Sequence, residues 1–297
     1  LNAAVGITTP FHAISFAHEE FGVRNNEIAA QIVRALHDYQ PQALVNNQVH
    51  CRYEITDPTG LPILINLLEE NAIHLISLMD HTPGQGQFKS LQAFQDYLTN
   101  NHNKTVVEAQ TIAARKVDQG AYALERVKTL ISKALSKGIQ IASHDDDNPE
   151  RIISMEELGV HISEFPINLE TAIAAQKSGL MTVFGEPNIL RGQSLSGSIK
   201  AIDAIKNQVC DTLCGDYSPA SLLAAAFRIP ELEDWSLPEA IKLVTSNPAK
   251  AANLMDRGEI AVGKRADLIA VKHDNNFPQV TTTWVDGRIV YQCHYLK

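Results

Sequence analysis

Three short apolar runs in this chain of 297 residues stop abruptly at side chains that bind metals and move protons. His74-Leu-Ile-Ser-Leu-Met79 runs into Asp80 and His81, Ile139-Gln-Ile-Ala-Ser143 into His144, Asp145, Asp146 and Asp147, and Thr212-Leu-Cys-Gly215 into Asp216. Imidazoles and carboxylates ligate divalent ions, and a carboxylate beside such an ion can also take the proton of an attacking water. Runs of this length and composition read as strands buried on both faces. In a parallel barrel their C-terminal ends converge on one rim, where the chemistry is placed. The chemistry suggested is metal-assisted hydrolysis.

Each set also has a plainer explanation. The acidic turn after His144 can cap the following helix, and Asp216 can cap the one that Pro219 opens. A single histidine at a strand end is often only hydrogen-bonded. Recurrence of the pattern at three strand ends favours the chemical explanation. His50, Arg52 and Glu54 share one face of an alternating segment, which is either solvated or directed inward. Directed inward, it adds a carboxylate ligand and an arginine. Glu164, closing Val160-His-Ile-Ser-Glu-Phe165, has the same status. Asp145 or Asp146 is either bridging or behind His144, holding its other nitrogen. The Gly/Ser-rich loop 185–198 carries Arg191 and several hydroxyls, Ser194 among them, a composition suited to cradling phosphate. Phosphate-loop, dinucleotide-binding and nucleophile-elbow motifs are absent from the sequence.

The elements that must position these residues alternate along the chain. Helical stripes are expected over 24–38 (apolar at 28, 32, 33 and 36), after Pro62, from about Pro149, over 169–178, up to about Lys206 and over 219–227. Strand-like segments begin at Gly6 and include 43–54, 74–81, 139–143, 160–165, 180–184 and 212–215. Residues 90–137 read as two helices over the barrel mouth. Strands separated by helices specify parallel βαβ units, about seven of them against the eight of a closed barrel. The tail, 258–271 and 282–291, reads as strands joined at Asp286-Gly287. The fold class is therefore α/β, a TIM-like barrel over 1–257 short of its first strand, with 258–297 as a small β appendage.

Bulk properties narrow the partners. A net charge of −9 argues against general binding to nucleic acid or anionic membrane. The four cysteines form neither a zinc-finger spacing nor a disulfide framework, so reduced thiols and a cytoplasmic setting are expected. No apolar run approaches the roughly 20 residues of a membrane span. The chain starts at Leu1 without Met, and a preceding segment is expected.

Several stretches resemble the phosphonate-metabolism family PhnM of the amidohydrolase superfamily. They are Ser77-Leu-Met-Asp-His-Thr-Pro-Gly84 with Gln85-Gly-Gln-Phe88, Ile141-Ala-Ser-His-Asp-Asp146, Asn188-Ile-Leu-Arg-Gly192 and Gly215-Asp-Tyr-Ser-Pro-Ala-Ser-Leu-Leu223. Leu243-Val-Thr-Ser-Asn-Pro-Ala-Lys250 and Gly263-Lys-Arg-Ala-Asp-Leu268 resemble the wider superfamily. The resemblance implies that the barrel is distorted and the 258–297 appendage part of a small β-sandwich. It also implies one or two divalent ions (Zn, Mn, Fe or Ni) and hydrolysis of α-D-ribose 1-methylphosphonate 5-triphosphate to the 5-phosphate and pyrophosphate. By position it implies His144 as a ligand on the fifth strand and Asp216 as ligand and base on the eighth. Asp80, His81 and Glu54 complete the metal set, with Arg52, Arg191, Ser194, Asp145 and Glu164 on the substrate, a small phosphorylated sugar phosphonate. The His-x-His or His-x-Asp pair of the family's first strand has no counterpart here, since His12 and His18 are wrongly spaced. C–N hydrolysis of a cyclic amide or N-acyl amino acid, and a metal-free barrel without catalysis, stay open as alternatives, as does a homo-oligomer.

Overall fold

The computed structural model describes residues 1–17, 25–84, 88, 90–194, 197–274 and 277–294. His18, Arg24, Gln85 to Gln87 and part of the 185–198 loop lie outside the described residues. The chain divides into two compact units, one of Leu1–Phe11, Tyr39–Gln48 and Met181–Lys297, the other of His12–Asp38 and Val49–Leu180.

The second unit is built on β1 (Phe11–Phe16), β2 (Gln48–Glu54), β3 (Leu75–Met79), β4 (Gln140–His144) and β5 (Ile162–Glu164). Its helices are α1 (Asn26–Tyr39), α2 (Gly60–Glu69), α3 (Leu91–His102), α4 (Val106–Gly120), α5 (Ala123–Ser136), α6 (Pro149–Glu157) and α7 (Leu169–Lys177). Parallel register aligns Arg52 with Ser77, Ser77 with Ala142, Ala142 with Ile162, and His144 with Glu164. Side chains alternate along a strand, so this register fixes two faces at once. Val49, Cys51, Tyr53, Ile76, Leu78 and Ile141 form one face and enter the apolar core with Leu64, Leu67 and Leu130 from the helices. His50, Arg52, Glu54, Ser77, His144 and Glu164 necessarily share the other. The strand carrying His50, Arg52 and Glu54 is buried on both faces, which resolves the solvated-or-inward question.

Three local details differ from the sequence expectations. The stretch 90–137 holds three helices: Asn103 ends α3 in the left-handed conformation and Thr105 restarts the chain with a reciprocal cap to Glu108, and a second break at Ala121 and Tyr122 separates α4 from α5. The last of the three, α5, belongs to the core through Val127, Leu130, Ile131 and Ala134. In α1 the buried stripe is Ala29, Ala30 and Val33, leaving Ile28 and Ile32 exposed. Finally, Asn2–Val5 forms a 3-10 turn closed by Gly6 in the left-handed region, and the strand begins only after Pro10.

The first unit contains β6 (Met181–Gly185), α8 (Pro187–Arg191), α9 (Ala201–Lys206), β7 (Thr212–Cys214), α10 (Leu222–Leu232), α11 (Leu237–Lys242) and α12 (Ser246–Ala251). Strands β6 and β7 are parallel, with Gly185 beside Cys214. Counted with β1 to β5, the described strands outside the antiparallel sheet number seven, the number read from the sequence. A three-stranded antiparallel sheet of β8 (Leu268–Asp274), β9 (Phe277–Val285) and β10 (Arg288–Gln292) follows in the same unit. Asp286 and Gly287 both take positive φ, as the two-residue turn between β9 and β10 requires. Residues 258–267, expected as strand, precede β8 instead.

Ile141 is fully buried on the core face of β4, two residues before Ser143. Replacing it by alanine should cost about 2–5 kcal/mol in denaturant-induced unfolding.

Candidate active site

The inward face of the second unit brings together four of the residues singled out by sequence and one that was not. His50 Nε2 lies 2.5 Å from Ser77 Oγ, and Ser77 donates to Glu164 Oε2 at 2.7 Å. With its hydrogen committed to the carboxylate, Ser77 accepts from His50, which fixes the His50 proton on Nε2. Glu164 Oε2 also lies 2.8 Å from His144 Nδ1. Arg52 Nη2 is 2.7 Å from His144 Nε2. A guanidinium only donates, so His144 accepts at Nε2 and carries its proton on Nδ1, toward Glu164. One carboxylate thus orients one imidazole directly and the other through a serine hydroxyl.

Charge follows this geometry. Burial lowers the pKa of His50 to about 4, with Arg52 and His144 adding to the effect and Glu164 opposing it. Burial pushes the Glu164 carboxyl up, but His144, His50 and Arg52 together hold it well below the usual range. Burial also opposes a charge on His144, but Asp145 and Glu164 outweigh it and raise its affinity for a proton. Taking that proton on Nε2 would end the bond from Arg52. Arg52 Nε is buried without a hydrogen-bond partner among the described residues, so the guanidinium is only partly satisfied where it stands.

The turn after β4 is held by a separate network. Asp145 and Phe165 adopt left-handed backbone conformations, with φ of 55° and 58°, uncommon for residues other than glycine. The Phe165 ring meets His144 edge-on at 5.4 Å between centroids. Asp146 is fully buried and accepts from Ser143 at 2.5 Å, Ser163 at 2.6 Å and Arg151 Nε at 3.2 Å. Asp80, expected beside His81 as a ligand, accepts from the Thr82 amide and lies 3.6 Å from Arg151 Nη1.

His81 and Glu54 form a second carboxylate–imidazole pair, with Nδ1 at 2.6 Å from Oε2. Lys116 from α4, missed in the sequence, reaches Oε1 of Glu54 at 2.9 Å, and Thr56 donates to the same oxygen at 2.7 Å. Burial favours the neutral acid, but Lys116 and His81 hold Glu54 far below the usual carboxylate range.

In the first unit Asp216 follows β7 with φ of 46°. A Cβ on Gly215 would lie 2.7 Å from Pro219 Cα, so only glycine fits there. Arg191 closes α8 and donates to Tyr217 Oη and to the Gln193 carbonyl. Ser194 is half-buried in the same turn. The expected loop is thus helical in its first half. Glu186, also missed, caps the end of β6, fully buried. One oxygen accepts from Ser221 at 2.6 Å, and the other has no hydrogen-bond partner among the described residues. Burial raises its pKa, Ser221 offsets part of the rise, and Asp216 adds to it. Its only sequence signal is an acid directly after a strand, the same signal that marked Asp80 and Asp216.

These residues do not by themselves fit a divalent ion. Among the described residues no group of three or more His, Cys, Asp or Glu side chains is placed to hold one. The His144 nitrogen that would ligate accepts from Arg52, and both oxygens of Glu54 are taken. What they present is imidazoles fixed at Nδ1 by carboxylates.

A family model described as "Amidohydrolase family" matches residues 29–291, so the chain belongs to the amidohydrolase family. It is 34% identical over 296 residues to alpha-D-ribose 1-methylphosphonate 5-triphosphate diphosphatase of Escherichia coli (strain K12), across 98% of this chain and 78% of that protein. Imidazolonepropionase of Deinococcus deserti is 28% identical over 181 residues, 56% of this chain and 43% of that protein. Among solved structures, N-acetylglucosamine-6-phosphate deacetylase from Pasteurella multocida aligns with TM-score 0.58 and 15% identity, covering 97% of this chain and 77% of that one. Dihydropyrimidinase from Brevibacillus agri aligns with TM-score 0.52 and 11% identity, covering 98% and 78%. At these identities the structural likeness carries the fold, the α/β class with parallel strands expected from the sequence.

Two outcomes follow from the networks. Asp146→Ala leaves two buried hydroxyls and a guanidinium without their acceptor, and should cost about 3–5 kcal/mol in equilibrium unfolding. For His50, the folded protein gives up the proton near pH 4 whereas the unfolded chain holds it up to about 6.5. Between those values the unfolded state binds more protons, so stability should fall as pH is lowered from about 6.5 to about 4. Urea unfolding across that range should show a shallower slope in His50→Gln.

Proposed function

We propose that this chain hydrolyses α-D-ribose 1-methylphosphonate 5-triphosphate to the 5-phosphate and pyrophosphate. The observation that carries the reading is the 34% identity to the Escherichia coli diphosphatase over nearly the whole of this chain. The His50–Arg52–Ser77–His144–Glu164 face supplies chemistry suited to it. A guanidinium with an unused buried N–H matches phosphoryl oxygens, which accept from it in pairs. When Arg52 turns to the substrate, His144 is left neutral with its Nδ1–H on Glu164. Its Nε2 then takes a proton from water as the water oxygen bonds to phosphorus and the bond to the departing pyrophosphate breaks. Glu164 holds the tautomer this requires and offsets the charge on the imidazolium that forms.

Asp216, implied as base by the resemblance, is the competing proton acceptor, and Arg191 and Ser194 are proposed on the phosphate arm of the substrate. Dependence on a divalent ion is typical of the superfamily, and His81, Asp80, Glu54 and Asp145 are the residues of this chain proposed to face it. No described helix is long and apolar enough to cross a membrane, and among the described residues Cys51, Cys210, Cys214 and Cys293 form no disulfide, which supports the proposed cytoplasmic setting.

The test is pyrophosphate release from the ribosyl triphosphate, beside a cyclic amide and an N-acyl amino acid as controls. Turnover of the triphosphate alone is expected, and turnover of an amide alone would sink the reading. Within it, His144→Gln should lower kcat by about 10²–10⁴-fold. A larger loss in Asp216→Asn, with His144→Gln near the wild-type rate, would move the base to Asp216.

A further inference from the structure

Lys116 is the residue that neither the sequence motifs nor the proposed reaction explains. It lies on the buried stripe of α4 with Ala109 and Ala113 and is only 2% exposed. Lysine is rarely buried so completely unless it is paired. Its ammonium meets Glu54 Oε1 at 2.9 Å and Thr56 Oγ1 at 3.1 Å. The other oxygen of Glu54 holds His81 Nδ1 at 2.6 Å, and the His81 amide lies 3.4 Å from Oε1. The imidazole has a second contact in Phe88, from the segment before α3. Phe88 meets its ring edge-on at 5.9 Å and packs with Phe94, Leu98, Ala109 and Ala113 in a small apolar cluster of its own. Helix α4 thus reaches this carboxylate–imidazole pair directly through Lys116, and α3 packs only on Phe88, which meets the imidazole.

We propose that Lys116 of α4 acts as a clamp on Glu54, a positioning residue that holds His81 in one orientation with its proton on Nδ1. A carboxylate shared between an ammonium, a hydroxyl and an imidazole cannot rotate without losing one of them. Removing the ammonium frees Glu54 to turn, and the imidazole loses its fixed tautomer and orientation. The functional half of this inference rests on the diphosphatase reading; the structural half does not.

The test uses the full chain. Nitrogen-15 imidazole spectra, with the His81 signals assigned by their loss in His81→Gln, report the tautomer without substrate. The wild type should show a single His81 form protonated on Nδ1. Lys116→Met should show a mixture of tautomers, with kcat for pyrophosphate release lowered about tenfold or more and KM changed less than about twofold. If Lys116→Met does not fold, Lys116→Gln, which removes only the charge and keeps Glu54, is measured the same way. An unchanged single Nδ1–H signal in whichever variant folds would overturn the clamp. Absence of pyrophosphate release by the wild type would overturn the diphosphatase reading and leave the spectra to decide the clamp.

Discussion

The arrangement depends on one interaction used twice, a carboxylate fixed against Nδ1 of an imidazole at the end of a parallel strand. Glu164 does this for His144 and Glu54 does it for His81. The first pair follows directly from register, because parallel pairing sets His144 beside Glu164 with both side chains on one face. An imidazole held this way has its tautomer chosen for it, and its Nε2 becomes the nitrogen that accepts. Everything else on that face adjusts to this choice. Ser77 passes the influence of Glu164 to His50, and Arg52 takes up the lone pair that His144 presents.

The cost of such a site is buried charge, and the structure meets it locally. Glu164 sits among two imidazoles and a guanidinium, Glu54 between an imidazole and an ammonium, and Asp146 against two hydroxyls and Arg151. Breaking any one of these leaves the remaining partner without solvation in a place water does not reach, so the networks are stiff. Two atoms at the strand ends are exceptions. Arg52 Nε and one oxygen of Glu186 are buried without partners among the described residues.

Much of this was legible in the sequence, for a physical reason. Short apolar runs ending in His or Asp have a period and a stop that survive any tertiary context, so seven strands and the positions of His144, Glu164 and Asp216 at strand ends could be read directly. The inward face of His50, Arg52 and Glu54 was visible as alternation, although only burial on both sides decides that it faces inward. Lys116 was invisible because one lysine in a polar helical stretch looks solvated, and its partner is remote in sequence. Separation of α3 from α4 within 90–137 turned on the cap at Thr105, a signal of two side chains inside a long helical pattern. The partner of each carboxylate is set by rotamers, which periodicity does not encode. So Asp80 read as a neighbour of His81 in a ligand set, whereas its side chain is paired with Arg151.

The measurement closest to the central claim is phosphorus-31 spectroscopy of the ribosyl methylphosphonate triphosphate turned over by the wild type and by Glu164→Gln. With His144 held by Glu164 as the proton acceptor, the wild type produces pyrophosphate and the variant does so more slowly by about 10²-fold or more. Pyrophosphate appearing at the same rate from both proteins, or orthophosphate in its place, would contradict the account.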